Sequence, residues 1–278
     1  MRSLSISVAW DESKAVLARD GRLLIPVALA MVALPSIVST LIDPGSPTSR
    51  GSGISLLVFL LSLIGMIGQL ALIRLAIGPS LSVGDAILHA LRRALPFIGA
   101  IILLVLILLI VSLPIIILLS ITIAGASAGD AALDPAQLAA SPLFSVFVLV
   151  IFLVGIVIGV RMMMMSPVAS AETAGPVAIL KRSWELTRGK FWKLFAFLLL
   201  FVVAMVALML AVGGVAGLGA RSLFGEIEPF SGGALFVGVI SGVLSALVTT
   251  VLSVMLARIY LQLAGRGEAE VSVPSSGD

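Results

Sequence analysis

The chain has 278 residues, 60% of them hydrophobic and 11% charged, with a formal net charge of +3. Soluble domains run about 25% charged and about 45–50% apolar, so a water-soluble globule is excluded. The absence of cysteine and the single histidine, His89, exclude disulfides, thiol catalysis and zinc or iron–sulfur sites built from Cys and His.

Taken in chain order, residues 1–22 carry Asp11, Glu12, Lys14, Arg19, Asp20 and Arg22, which interrupt any apolar core of a cleaved signal peptide. The first span is therefore expected to be retained. Six uncharged apolar stretches follow, at 23–42, 51–73, 94–129, 135–160, 194–220 and 229–257. Each is long enough to cross a bilayer, which takes roughly 20 residues. The expected fold is an all-α membrane protein of six transmembrane helices, with residues 1–264 as a single membrane domain and 265–278 as an unfolded cytoplasmic tail.

Lys and Arg fix the orientation. Fifteen lie on the side that holds both termini, and only Arg50 and Arg221 lie on the other. Cytoplasmic loops are enriched in these residues, so both termini are expected in the cytoplasm. The basic balance reflects this asymmetry, and no folded basic face points to nucleic acid. The loops 43–53 and 124–142 are rich in Gly, Ser, Pro and Ala and read as connectors, with one short helix expected from the Asp134–Pro135 cap.

An internal repeat emerges from the approaches to spans 1, 3 and 5, which begin at Ser7, Ser82 and Gly175. Each reads as a charged amphipathic helix lying along the inner interface before an apolar span. In the third, Val177, Leu180, Trp184 and Phe191 form the expected apolar face, with Lys181, Arg182, Glu185 and Arg188 opposite. Spans 2, 4 and 6 each end near a lone arginine: Arg74, Arg161 and Arg258. The expected unit, three times over, is interfacial helix, span out, span back, arginine.

Small residues suggest where helices meet. Gly155 and Gly159, and Gly213 and Gly217, are GxxxG pairs, read as helix packing within the chain. Ser241, Ser245, Thr249 and Ser253 share a stripe of span 6, and Pro114 is expected to kink span 3. No acid, base or histidine lies within the six stretches, which disfavours a proton relay or an intramembrane enzyme. Gln69 is the strongest polar group at depth. As a lone amide it is expected to bond a neighbouring helix. Met162–Met165 read as apolar filling rather than a copper site, and His89 as a surface histidine four residues from Asp85 and Arg93. No catalytic, cofactor or metal site is expected.

What remains is the basic collar: Arg74, Arg161 and Arg258 at span ends, with Arg92, Arg93, Lys181, Arg182, Arg188 and Lys190 on the interfacial helices, flanked by Trp184 and Trp192. Guanidinium groups bind phosphate bidentately, and basic residues near a membrane attract anionic lipid, so these are the candidate contacts for lipid headgroups or a partner. Snorkelling and topology account for the same residues without a ligand.

In KRSWELTRGKFWKLF, residues 181–195, Ser183, Trp184, Leu186, Thr187, Gly189, Phe191 and Trp192 resemble the element preceding the fifth span in the membrane domain of glycerophosphoryl diester phosphodiesterase, and in related bacterial six-span inner-membrane proteins. The resemblance is concentrated over residues 155–200. It implies a bacterial inner membrane and phospholipid-related work. The enzymes that name the family carry a catalytic barrel with histidine and carboxylates, which this sequence does not contain. The expected function is thus a non-enzymatic membrane protein that organises or binds phospholipid, or a lipid-acting partner, at its cytoplasmic face. The alternative is a permease-like module moving a lipid or small amphipathic solute past Gln69, Ser241, Ser245 and Thr249.

Overall fold

The computed structural model describes residues 4–44, 52–78, 82–126 and 142–265. The expected Asp134–Pro135 cap, most of both connectors and nearly all of the tail lie outside them. Every regular element among the described residues is helical. The first is α1 (Ile6–Ala28), capped by Ser5, whose hydroxyl accepts from the Val8 N–H. It runs through one π turn (Leu29–Ala33) into α2 (Leu34–Ile42). Pro26 and Pro35 bracket this turn. Each lacks an N–H for the carbonyl four residues back, and the wider π turn absorbs the mismatch. Then come α3 (Ser52–Ile77), α4 (Val83–Ala126), α5 (Pro142–Met162), α6 (Met165–Ala171), α7 (Pro176–Thr187), α8 (Phe191–Phe224) and α9 (Gly232–Leu263).

Six helical runs are long and apolar enough to cross a membrane: Ile6–Ile42, Gly53–Ile77, Val83–Leu113, Phe144–Ala171, Phe191–Phe224 and Gly232–Leu263. The chain is a multi-pass membrane protein. The approaches to spans 1 and 3 do not break from their spans but continue them as single helical runs, and α4 also passes through Pro114. Only the third approach is a separate helix, α7. The difference lies at Gly189, which takes φ +75° and turns the chain between α7 and α8.

At the centre, α9 packs against α1, α2, α3 and α8, while α3 also packs against α4 and α6. Two glycines let the π turn come close. A Cβ at Gly68 would lie 2.7 Å from Met31 Cβ, and one at Gly242 would lie 2.6 Å from Ile37 Cγ1 and 2.9 Å from the Ala33 carbonyl. The GxxxG pairs behave otherwise. A Cβ added at Gly155, Gly159, Gly213 or Gly217 meets nothing within 4 Å, so the expectation that these pairs seat helices within the chain is corrected. The close contacts fall at Gly68, Gly99, Gly232, Gly238 and Gly242, because those are the glycines that face another helix.

The core gathers at one end. Leu70–Ala76 except Arg74, Met164–Ser170 except Ser166, and Val254–Leu261 except Arg258 are buried there, together with Ala86, Ala90, Ile179 and Leu194. The same end carries Arg74, Arg161, Arg258 and α7, and is called the basic end below. Spans 4 and 5 by contrast are only 6% buried over their most apolar windows. Such surface would drive aggregation in water, but hydrocarbon solvates it.

Candidate functional site

The three lone arginines all lie at the basic end, in different surroundings. Arg258 Nη2 donates to the Ala76 carbonyl at 2.7 Å, supplying positive charge where the orphan carbonyls of α3 end. Arg74 sits in the last turn of α3, with its Nε buried and without a hydrogen-bond partner among the described residues. Arg161, in the last turn of α5, is held at both its backbone and its side chain.

Helix α7 supplies that hold. The Ser183 hydroxyl, fully buried, donates to the Arg161 carbonyl at 2.8 Å. Thr187 Oγ1 lies 3.4 Å from the same carbonyl and 2.9 Å from Ser183 O, so its single proton favours its own helix. On the side chain, the Arg161 guanidinium carbon lies 4.9 Å from the Trp184 ring centre and 5.9 Å from that of Phe191. Both distances are within cation–π range. The clasp is itself buttressed: Phe191 meets Trp192 edge-on at 5.5 Å and stacks on Phe195 at 6.0 Å. Arg161 Nε and Nη1 are buried and have no hydrogen-bond partner among the described residues.

Two further ties fix α7. Pro176, at its start, closes on Gly99 of α4, where an added Cβ would come within 2.9 Å of Pro176 Cγ. Glu172, just beyond α6, accepts from the Tyr260 hydroxyl at 2.7 Å and from Arg182 Nε at 3.3 Å. Arg182 also lies 3.8 Å from Glu185. Tyr260 is fully buried, so its hydroxyl needs such a partner. Nearby, His89 Nε2 lies 2.9 Å from the Ser170 carbonyl, and Ser170 Oγ donates to the Leu70 carbonyl at 3.0 Å. A carbonyl only accepts, so Nε2 carries the proton. The N-terminal segment docks at the same end: Lys193 Nζ donates to the Leu4 carbonyl at 2.9 Å, and the Ser5 N–H to Gln262 Oε1 at 3.3 Å.

Several sequence expectations change here. The buried face of α7 is Ile179, Ser183, Leu186 and Thr187, whereas Val177 is 67% exposed and Trp184 45% exposed. The face rotates because its hydroxyls answer the end of α5, which an apolar count along α7 does not register. His89 answers Ser170 rather than Asp85, whose carboxylate takes the Ser82 hydroxyl at 2.6 Å. The helix breaks at Met163–Met164, so Met162 and Met165 do not share a helical face, while Met164 and Met165 are buried in the core. Lys181 and Arg188 are exposed, and so is Trp192. Gln69 is half-buried and makes no side-chain hydrogen bond among the described residues. Ser241 donates back to the Val237 carbonyl at 2.7 Å, and Ser245 and Thr249 are half-buried along α9. An apolar groove of about 350 Å³ lies between α8 and α9, lined by Phe201, Met205, Leu208, Leu244, Leu247 and Val251 among others.

Glu172, Tyr260, Ser170 and Phe191 were not singled out as site residues by the sequence. Tyr260 carried a usable signal, being the only tyrosine and standing near the end of an apolar span. A hydroxyl there requires an acceptor, and Glu172 is one of the few acids on that side of the chain.

An all-helical protein with six membrane-crossing runs and a basic rim built on α7 belongs to the class of polytopic membrane proteins. Residues 136–271, slightly under half of the sequence, match the family described as the membrane domain of glycerophosphoryl diester phosphodiesterase. The match is to the membrane domain and not to a catalytic domain. No curated protein and no solved structure matches the chain.

Proposed function

We propose that the protein is a non-enzymatic component of the bacterial inner membrane, with both termini in the cytoplasm, that binds phospholipid at its basic end and so organises it or presents it to a lipid-acting partner. The observation that carries this reading is Arg161, whose charge is clasped by Trp184 and Phe191 while two of its nitrogens, Nε and Nη1, lack partners among the described residues. Guanidinium with indole at a membrane rim suits a lipid headgroup. The matched family supports a membrane role without an enzymatic one. The apolar groove between α8 and α9 suits an acyl chain, and its lining gives no support to a polar path past Gln69, Ser241, Ser245 and Thr249. The test is native mass spectrometry of protein extracted from its own membrane. Phospholipid retained beyond the generic annulus is the expected result, and its loss under mild delipidation down to bare protein contradicts the reading.

A further inference from the structure

Most arginines and lysines of the basic end fall into two groups. Some are answered by the protein, as Arg182 is by Glu172 at 3.3 Å and Arg258 by the Ala76 carbonyl at 2.7 Å. Others, such as Lys181 and Arg188, are exposed and answered by solvent. Arg74, with only Nε buried and unpartnered among the described residues, belongs to neither, and nor does Arg161. It is only partly exposed, with Nε and Nη1 buried and unpartnered, and it has no ion pair among the described residues. A guanidinium withdrawn from water without a partner is unfavourable unless an anion or acceptor completes it. The aromatic rings fix what can do so. Trp184 at 4.9 Å and Phe191 at 5.9 Å cover the guanidinium by cation–π contact, which leaves hydrogen bonding to the in-plane edges. Nη2, which is not among the buried atoms, is shared by both edges and gives a phosphate its point of approach, and its paired oxygens match the fork there.

The rest of the cradle keeps this group in place rather than neutralising it. Ser183 fixes the Arg161 backbone at 2.8 Å, and Gly189 at φ +75° brings Phe191 round to the same arginine. Exposed Arg188 and half-buried Lys190 stand in the turn before Phe191 and add positive charge, while the carboxylate between the two aromatic residues, Glu185, lies 3.8 Å from Arg182. Trp192, 76% exposed beside Phe191, offers an apolar ledge to the chains of a lipid.

We infer that Arg161, clasped by Trp184 and Phe191, is a receptor for one phosphate oxyanion, supplied by the phosphodiester of an anionic glycerophospholipid. This rests on the lipid-binding reading above and narrows it to one residue. Phosphatidylglycerol, phosphatidylcholine and inorganic phosphate are titrated separately into delipidated full-length protein and followed by native mass spectrometry. Wild-type protein takes up one phosphatidylglycerol at least tenfold more tightly than the next, and tighter than phosphatidylcholine, with inorganic phosphate failing to displace it at equal concentration. Arg161→Gln loses that first site tenfold or more, Arg161→Lys recovers only part of it, and Lys14→Gln, an exposed change on α1, retains it. The chain has three tryptophans, so Trp10→Phe/Trp192→Phe, which keeps an apolar ring at the 192 ledge and is titrated beside wild type for its own affinity, leaves Trp184 as the sole indole. Its emission shifts with phosphatidylglycerol, a readout that does not depend on Arg161 variants folding. Wild-type affinity in a folded Arg161→Gln, or an unmoved Trp184 emission, overturns the assignment to Arg161 while leaving lipid binding intact. Equal displacement by inorganic phosphate overturns the lipid as its source. A wild-type protein with no tight phospholipid at all overturns the broader reading instead.

Discussion

The Ser183 hydroxyl donates a 2.8 Å hydrogen bond to the carbonyl of Arg161, twenty-two positions earlier in the chain. The next residue, Trp184, covers the guanidinium of that same arginine. One turn of α7 thus holds both ends of Arg161, and the motif SWELTRGKFW reads physically as a cradle for it. Ser183 takes the backbone, Trp184 and Phe191 take the side chain, and Gly189 makes the turn between them.

Ser183→Ala removes a buried donor and leaves the Arg161 carbonyl to Thr187, which already lies 3.4 Å away. The expected loss is about 1 kcal/mol, at the low end for a buried hydrogen bond because Thr187 can rotate to compensate. Ser183→Ala/Thr187→Val removes both donors and is expected to lose more than the two single changes summed. Thermal unfolding in detergent, followed by intrinsic fluorescence, checks the order.

Around Glu172 the two partners are unequal. Tyr260→Phe strips a buried 2.7 Å hydrogen bond to a carboxylate, for an expected loss of about 1.5–3 kcal/mol. Arg182→Ala removes a 3.3 Å ion pair whose side chains are 40% and 20% exposed, and water screens it to under about 1 kcal/mol. Melting temperatures should therefore fall much further for Tyr260→Phe. The reverse order would mean that Arg182, not Tyr260, holds Glu172.

Glycine substitutions separate contact from mere spacing. Gly242→Ala forces a Cβ against Ile37 and the Ala33 carbonyl and is expected to destabilise by about 1–3 kcal/mol. Gly155→Ala and Gly213→Ala meet no atom and should stay within about 0.5 kcal/mol of the parent. Matched melting curves of the three variants decide it.

At Gly189 the backbone itself is the constraint. With φ at +75°, an alanine is expected to cost about 1–2 kcal/mol, and asparagine less, because its short polar side chain tolerates the left-handed region. Proteolysis of the turn between α7 and α8 should quicken in Gly189→Ala and change little in Gly189→Asn.

The spans were legible because apolar length is a local property: the six uncharged stretches lie in the six long helical runs wherever both are described. The collar of lone arginines was legible for a similar reason, since charge at the end of an apolar run stands out in a one-dimensional reading. Partnership was not. Tyr260 and Glu172 lie 88 positions apart, and His89 and Ser170 81, and no periodicity couples them. The GxxxG pairs show the opposite failure. Gly155, Gly159, Gly213 and Gly217 have the spacing of a helix seam, yet spans 4 and 5 are the least buried, whereas Gly68 and a further pair at the same spacing, Gly238 and Gly242, carry tight contacts. The motif over residues 181–195 was recognisable as a unit, but its purpose required knowing that α5 ends against it.

The proposed role at the cytoplasmic face depends on the basic end facing the cytoplasm, and the chain is suited to testing that directly because it has no cysteine of its own. Ala178→Cys and Ser222→Cys each place a single thiol at an exposed position, the first on α7 and the second near the far end of α8. In intact cells with a permeabilised outer membrane, a membrane-impermeant maleimide should label Ser222→Cys at once and Ala178→Cys only after lysis. Labelling of Ala178→Cys before lysis, with Ser222→Cys protected, would contradict the account.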